Sequence, residues 1–136
     1  MLPIRTILQP TDFSDRSEHA FRLAWSLARD HGARLVLLHV VVPTEDPWMQ
    51  PDRNEVRKQL NELPAPGAEV RVERQLTEGI PATEILRVAA ETHSDLIVMG
   101  THGRTGLSRT LMGSVAEQVV RRASCPVLTV KTPFPE

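Results

Sequence analysis

Five short apolar blocks punctuate the chain: IRTIL at 4–8, RLVLLHVVV at 34–42, VRVERQL at 70–76, DLIVMG at 95–100 and PVLTVK at 126–131. Nearly continuous apolar runs of this length suit strands covered on both faces. Helical spacing fills most of the gaps. Residues 14–31, SDRSEHAFRLAWSLARDH, set Ala20, Leu23, Ala24, Leu27 and Ala28 on one expected face, and Gly32 suits the C-terminal cap. In 80–93, IPATEILRVAAETH, Pro81 falls at an early helical position and Ile85, Leu86 and Ala89 repeat at helical intervals. In 114–124, SVAEQVVRRAS, Ser114 and Glu117 have the spacing of a capping box. The second gap is mixed. PTEDPWMQPD at 43–52 carries three prolines and is expected to be irregular, and RNEVRKQLNEL at 53–63 supplies a short helix before PAPG stops it.

Strands that alternate with helices read as parallel, because a parallel pair needs a long crossover between its members. The expected architecture is α/β: a single doubly wound domain over residues 1–136, with a five-stranded parallel sheet and helices on both faces. The net charge is −1 and the pI about 6.5, so no basic field draws nucleic acid or an anionic membrane surface, and neither is expected as a partner. The apolar runs fall far short of the ~20 residues that span a bilayer. One cysteine, Cys125, forms no internal disulfide, and the start MLPIRTILQPTD lacks the apolar core of a secretory signal; a cytoplasmic location is expected.

In an open parallel sheet, ligands bind beyond the carboxyl ends of the strands, where the strand order reverses. Three segments converge on that edge: QPTDFS at 9–14 after the first strand, HVVVP at 39–43 at the end of the second, and MGTHGRTG at 99–106 after the fourth. The familiar phosphate signatures are missing. No lysine follows a glycine as in G-x-x-x-x-G-K-[ST], and no G-x-G-x-x-G follows the first strand. The chain has instead G-x-x-G-x9-G-S, made by Gly100, Gly103, Gly113 and Ser114, with Ser114 opening a helix whose terminal N–H groups favour an anion.

With ILQPTDFS at the first strand end, LLHVV at the second and IVMGTHGRTGLSRTLMGSVAEQVVRRASCPVLTVK over the last quarter, the chain resembles the universal stress protein family, in its nucleotide-binding branch. The likeness runs over nearly the whole chain and implies the Rossmann-like strand order 3-2-1-4-5. It implies that Pro10, Thr11 and Asp12 lie along adenosine, that Asp12 bonds the ribose hydroxyls, and that Val40 and Met99 lie near the adenine. Gly100, Gly103, Gly113, Ser114 and Val115 would wrap ribose and phosphates. The implied ligand is ATP, with Mg2+ entering only alongside it. The likeness also implies a homodimer through the last strand, Val127 to Val130, which would lie at a sheet edge. The short, proline-rich second crossover departs from the family pattern.

Plainer roles exist for the same residues. Asp12 suits an N-cap for the helix beginning near Ser14, Ser114 suits its capping box, and Gly100 and Gly103 suit a strained bend. His102 has no identified partner and is expected in solvent, while Arg104 and Arg109 are either phosphate contacts or solvated charges. Cys125 before Pro126 is expected to be an inert packed thiol. No zinc spacing is present.

The expected function is an ATP-binding regulatory module of the stress response. No general base, and no dedicated metal carboxylate beyond Asp12, can be assembled from the motif, so hydrolysis is expected to be slow at most. One rival is a true ATP hydrolase or an adenylating enzyme of related fold; the SGGxDS-like and HxGH-like loops of the latter are absent. The other is a dimeric interaction protein without need of nucleotide, against which the intact glycine pattern speaks.

Overall fold

The computed structural model describes residues 3–101 and 112–131. In chain order the elements are β1 (Thr6–Pro10), α1 (Asp15–His31), β2 (Arg34–Val41), a 3-10 turn (Pro47–Met49), α2 (Arg53–Glu62), β3 (Val72–Glu78), α3 (Pro81–Glu91), β4 (Leu96–Gly100), α4 (Ser114–Arg122) and β5 (Val127–Val130). The strands form one sheet in the order 3-2-1-4-5, all pairs parallel, as expected.

Alternate side chains of the inner strands enter opposite cores, which is why β2 and β4 are nearly continuous apolar runs, whereas the edge strand β3, VERQLTE, is half-buried and mixed. Ile7, Leu35, Leu37 and Val98 pack under α1 and α2 with Phe21, Trp25 and Leu60. Leu8, Val36, Leu38, Ile97 and Met99 pack under α3 and α4 with Ile85, Val88 and Val119. Ile7, Leu8, Leu35, Leu37 and Leu38 are wholly buried, each contributing ~1.5–3 kcal/mol of transfer free energy.

Helix α1 starts where Ser14 Oγ accepts from Ser17 N at 3.2 Å, and it ends where Gly32 takes φ 65°, a left-handed conformation that a Cβ would disfavour. Its buried stripe is Ala20, Phe21, Ala24, Trp25 and Ala28, rotated from the expected face; Leu23 is exposed. The two aromatics have the most surface to bury and set the rotation.

Strands β1 and β3 run two residues further toward their carboxyl ends than the apolar blocks. Backbone pairing with the longer β2 continues through Pro10 opposite Leu38 and Glu78 opposite Val41, whatever the polarity of the side chains. The chain winds outward from β1 to β3 and then returns to place β4 on the other side of β1. The crossover leaving β1 lies on one face and that leaving β4 on the other. Among the described residues nothing bridges their diverging exits, and a crevice lies between them.

Candidate functional site

One wall of the crevice is the turn after β1. Thr11 N donates to Leu38 O at 2.8 Å, one step beyond the strand, and the chain then bends on two side-chain acceptors. Thr11 Oγ1 accepts from Phe13 N at 3.1 Å, and Asp12 Oδ1 accepts from Ser14 N at 3.0 Å. Asp12 therefore closes an Asx turn and is not the N-cap of α1; Ser14 holds that position because only its hydroxyl reaches Ser17 N. Phe13 has φ 66°, an uncommon state for a bulky residue that costs on the order of 1–2 kcal/mol. Packing offsets this cost: the Phe13 ring lies against His39 with centroids 4.2 Å apart, and Phe13 also packs on the core beneath α1. His39 Nδ1 donates to Thr11 O at 2.7 Å.

The other wall begins at Gly100. Thr101 N donates to Val130 O at 3.2 Å, Gly113 N donates to Thr101 O at 2.6 Å, and α4 starts at once. Gly113 is the N-cap, and among the described residues no side chain caps the helix. Ser114 is the first helical residue, so the expected capping box with Glu117 does not form. Gly113 already occupies the extended cap position, and the amide of Glu117 bonds the Gly113 carbonyl. By contrast, the hydroxyl of Ser14 and the carboxylate of Asp52 cap α1 and α2. The first-turn amides of α4 are left to the cleft with the positive end of the helix dipole.

The two walls enclose a cleft of about 460 Å³. Pro10, Thr11, Asp12, Val40, Met99, Gly100, Gly113, Ser114 and Val115, all expected from the sequence, line it together. Gly103, the fourth member of the glycine motif with Gly100, Gly113 and Ser114, lies outside the described residues, as do His102, Arg104 and Arg109. The composition is graded. Val40, Val41, Val42, Val56, Ile85 and Met99 make an apolar part, and Asp12, Thr101, Ser114 and the glycine backbone make a polar part. Asp12 is the one carboxylate among the described lining residues, and its Oδ2 receives no partner from them. No cluster of three His, Cys, Asp or Glu residues suited to a metal occurs among the described residues.

Sequence reasoning placed His39 and Val42 in a segment at this edge without giving either a role, and missed the rim residues Pro51 and Val56. The rim belongs to the proline-rich crossover, whose return to the cleft has no local signal. A signal for His39 did exist: after Arg34 at the start of β2 it is the one polar residue in an apolar run, in the carboxyl-terminal half of the strand.

A five-stranded parallel α/β sheet in this order, with a cleft of mixed polarity at its reversal point, is the Rossmann-like architecture. The chain belongs to the universal stress protein family, whose model matches residues 3–131. It is 38% identical over 145 residues to a universal stress protein of Methanocaldococcus jannaschii, covering 97% of this chain and 85% of that protein. Universal stress protein UspA from Lactobacillus plantarum has TM-score 0.78 and 27% identity, over 96% of this chain and 99% of that one. The universal stress protein from Archaeoglobus fulgidus in complex with dAMP has TM-score 0.66 and 24% identity, over 96% of this chain and 100% of that one, and shares the fold.

Proposed function

We propose that this chain binds an adenine nucleotide, ATP in the first instance, and acts as a regulatory module of the stress response in the cytoplasm. The observation that carries this reading is the graded cleft ending at the uncapped α4. Val40 and Met99 offer apolar surface to a purine, the Asp12 carboxylate accepts from ribose hydroxyls, and the amides at the start of α4 donate to phosphate oxygens. The protein of the same fold and family that was solved with dAMP agrees with this assignment.

Bound ATP would supply a transferable phosphoryl group, with Mg2+ accompanying it. The described lining offers no lysine, no arginine and no second carboxylate to align a water and compensate developing charge, so turnover is expected to be slow. Calorimetry with ATP and adenosine, together with mass analysis of small molecules released on denaturation, tests the reading. Absence of binding by either nucleoside or nucleotide overturns it.

The edge strand β5, with Leu128 exposed and unpaired on its outer side, supports a homodimer built by two-fold pairing of Val127 to Val130. Light scattering decides this: a solution mass near 15.2 kDa at micromolar concentration excludes the dimer. The same exposed edge also suits the second reading, an interaction protein independent of nucleotide; that reading predicts dimers without ligand affinity.

A further inference from the structure

We infer that His39 is the residue that positions Asp12 for the ribose, and so sets how strongly the cleft distinguishes a ribose from a sugar without hydroxyls. This inference rests on the adenine-nucleotide reading above. A carbonyl oxygen can only accept, so the 2.7 Å contact to Thr11 O requires the proton on His39 Nδ1. That bond seizes the backbone unit joining Thr11 to Asp12. On the far side of Asp12, the Phe13 ring rests on the same imidazole at 4.2 Å. One side chain on β2 therefore grips both neighbours of Asp12. Phe13 is at φ 66°, a conformation the chain would leave if the grip were lost, and Asp12 would turn with it. Thr11 is also held at its near end, its N–H by Leu38 O at 2.8 Å and its Oγ1 by Ser17 Oγ at 3.0 Å, whereas the bonds that involve Asp12 and Phe13 directly, Phe13 N to Thr11 Oγ1 and Ser14 N to Asp12 Oδ1, stay within the segment. His39 is the side chain of the sheet that holds the turn on both sides of Asp12, and it lines the cleft beside this wall. It is a positioning residue with no chemical step of its own.

The test compares adenosine with 2′,3′-dideoxyadenosine by calorimetry on the full chain and two variants. The unsubstituted protein should prefer adenosine by about tenfold, as expected for a hydrogen bond to a charged group. His39→Asn carries an amide N–H at the position of Nδ1 and should keep that preference. His39→Gln places its amide one bond further out and should bring the ratio toward one while dideoxyadenosine affinity stays as it was. A general loss of stability would not move the ratio. Should the Gln variant fail to fold, His39→Phe replaces it, keeping a ring against Phe13 without a donor. An unchanged ratio in the Gln variant, or in the Phe variant where that replaces it, overturns the role of His39 and leaves the nucleotide reading standing. Binding of neither nucleoside, or a ratio of one in the unsubstituted protein, overturns the reading beneath and the inference with it.

Discussion

Gly113 donates its backbone N–H to the carbonyl of Thr101 at 2.6 Å, so the chain that leaves β4 is back beside its own start when α4 begins. This bond sets the helix N-terminus against the end of β4 and fixes the polar part of the cleft. Gly113 itself has φ −64° and ψ 156°, a conformation open to any residue. Backbone freedom is therefore not what a glycine provides there.

Gly113→Ser should therefore separate fold from binding. Serine is a better N-cap than glycine and should stabilise α4 by a few tenths of a kcal/mol. Its side chain would take helix amides that the proposed reading gives to phosphate. ATP affinity should fall at least tenfold and adenosine affinity much less; parallel losses for both ligands would show that the residue serves the fold alone.

Asp12→Asn retains a carbonyl oxygen able to accept from Ser14 N, so the turn should survive and thermal stability should change by less than about 0.5 kcal/mol. The lost charge weakens bonds to ribose hydroxyls. Adenosine affinity should drop by about tenfold or more, in line with ~1.5–3 kcal/mol for hydrogen bonds to charged groups. Titration calorimetry with matched melting curves reads both, and unchanged affinity removes Asp12 from the site.

Trp25 is 4% exposed and Trp48 is 93% exposed. Acrylamide should therefore quench a red-shifted component of the emission, and Trp48→Phe should abolish that component while leaving the blue-shifted Trp25 signal. Loss of both, or of neither, would mean that the 3-10 turn packs differently in solution.

Burial, with a smaller contribution from the Asp95 charge, raises the Cys125 thiol above its ordinary range. Little thiolate is then available near pH 8, and alkylation by iodoacetamide should be several-fold slower than in the urea-unfolded chain. The stability linked to this group is whole below the unfolded thiol pKa. It declines as pH rises through the folded value, because the unfolded chain gives up the proton first. Equal alkylation rates in folded and unfolded protein would contradict the buried thiol.

Much of this was legible before any coordinates. The five strands and four helices follow from apolar runs and caps, since burial on two faces leaves an unambiguous pattern. The residues around Asp12 and Gly113 were found because strand ends converge by topology. What escaped was set by tertiary geometry. The S-x-x-E spacing of Ser114 and Glu117 is the same whether Ser114 precedes the helix or opens it, and the backbone bond from Gly113 to Thr101 decides between the two. His39 and Val40 are neighbours in sequence yet serve different walls, since adjacent strand residues face opposite sides of the sheet.

The neighbouring strands β1 and β4, whose exits form the two walls, pair through Ile7 with Leu96 and Leu8 with Ile97, contacts that close a loop of roughly ninety residues. The two walls therefore come together only when this loop closes. A molecule seated in the cleft would act as a clasp across the strand pairing of greatest loop-closure cost, and any opening that parts those two strands would release it. Occupancy at a hundred times Kd would add about 2.7 kcal/mol to global stability. The fold would thus register nucleotide concentration as resistance to unfolding and to proteolysis, without any hinge or second conformation.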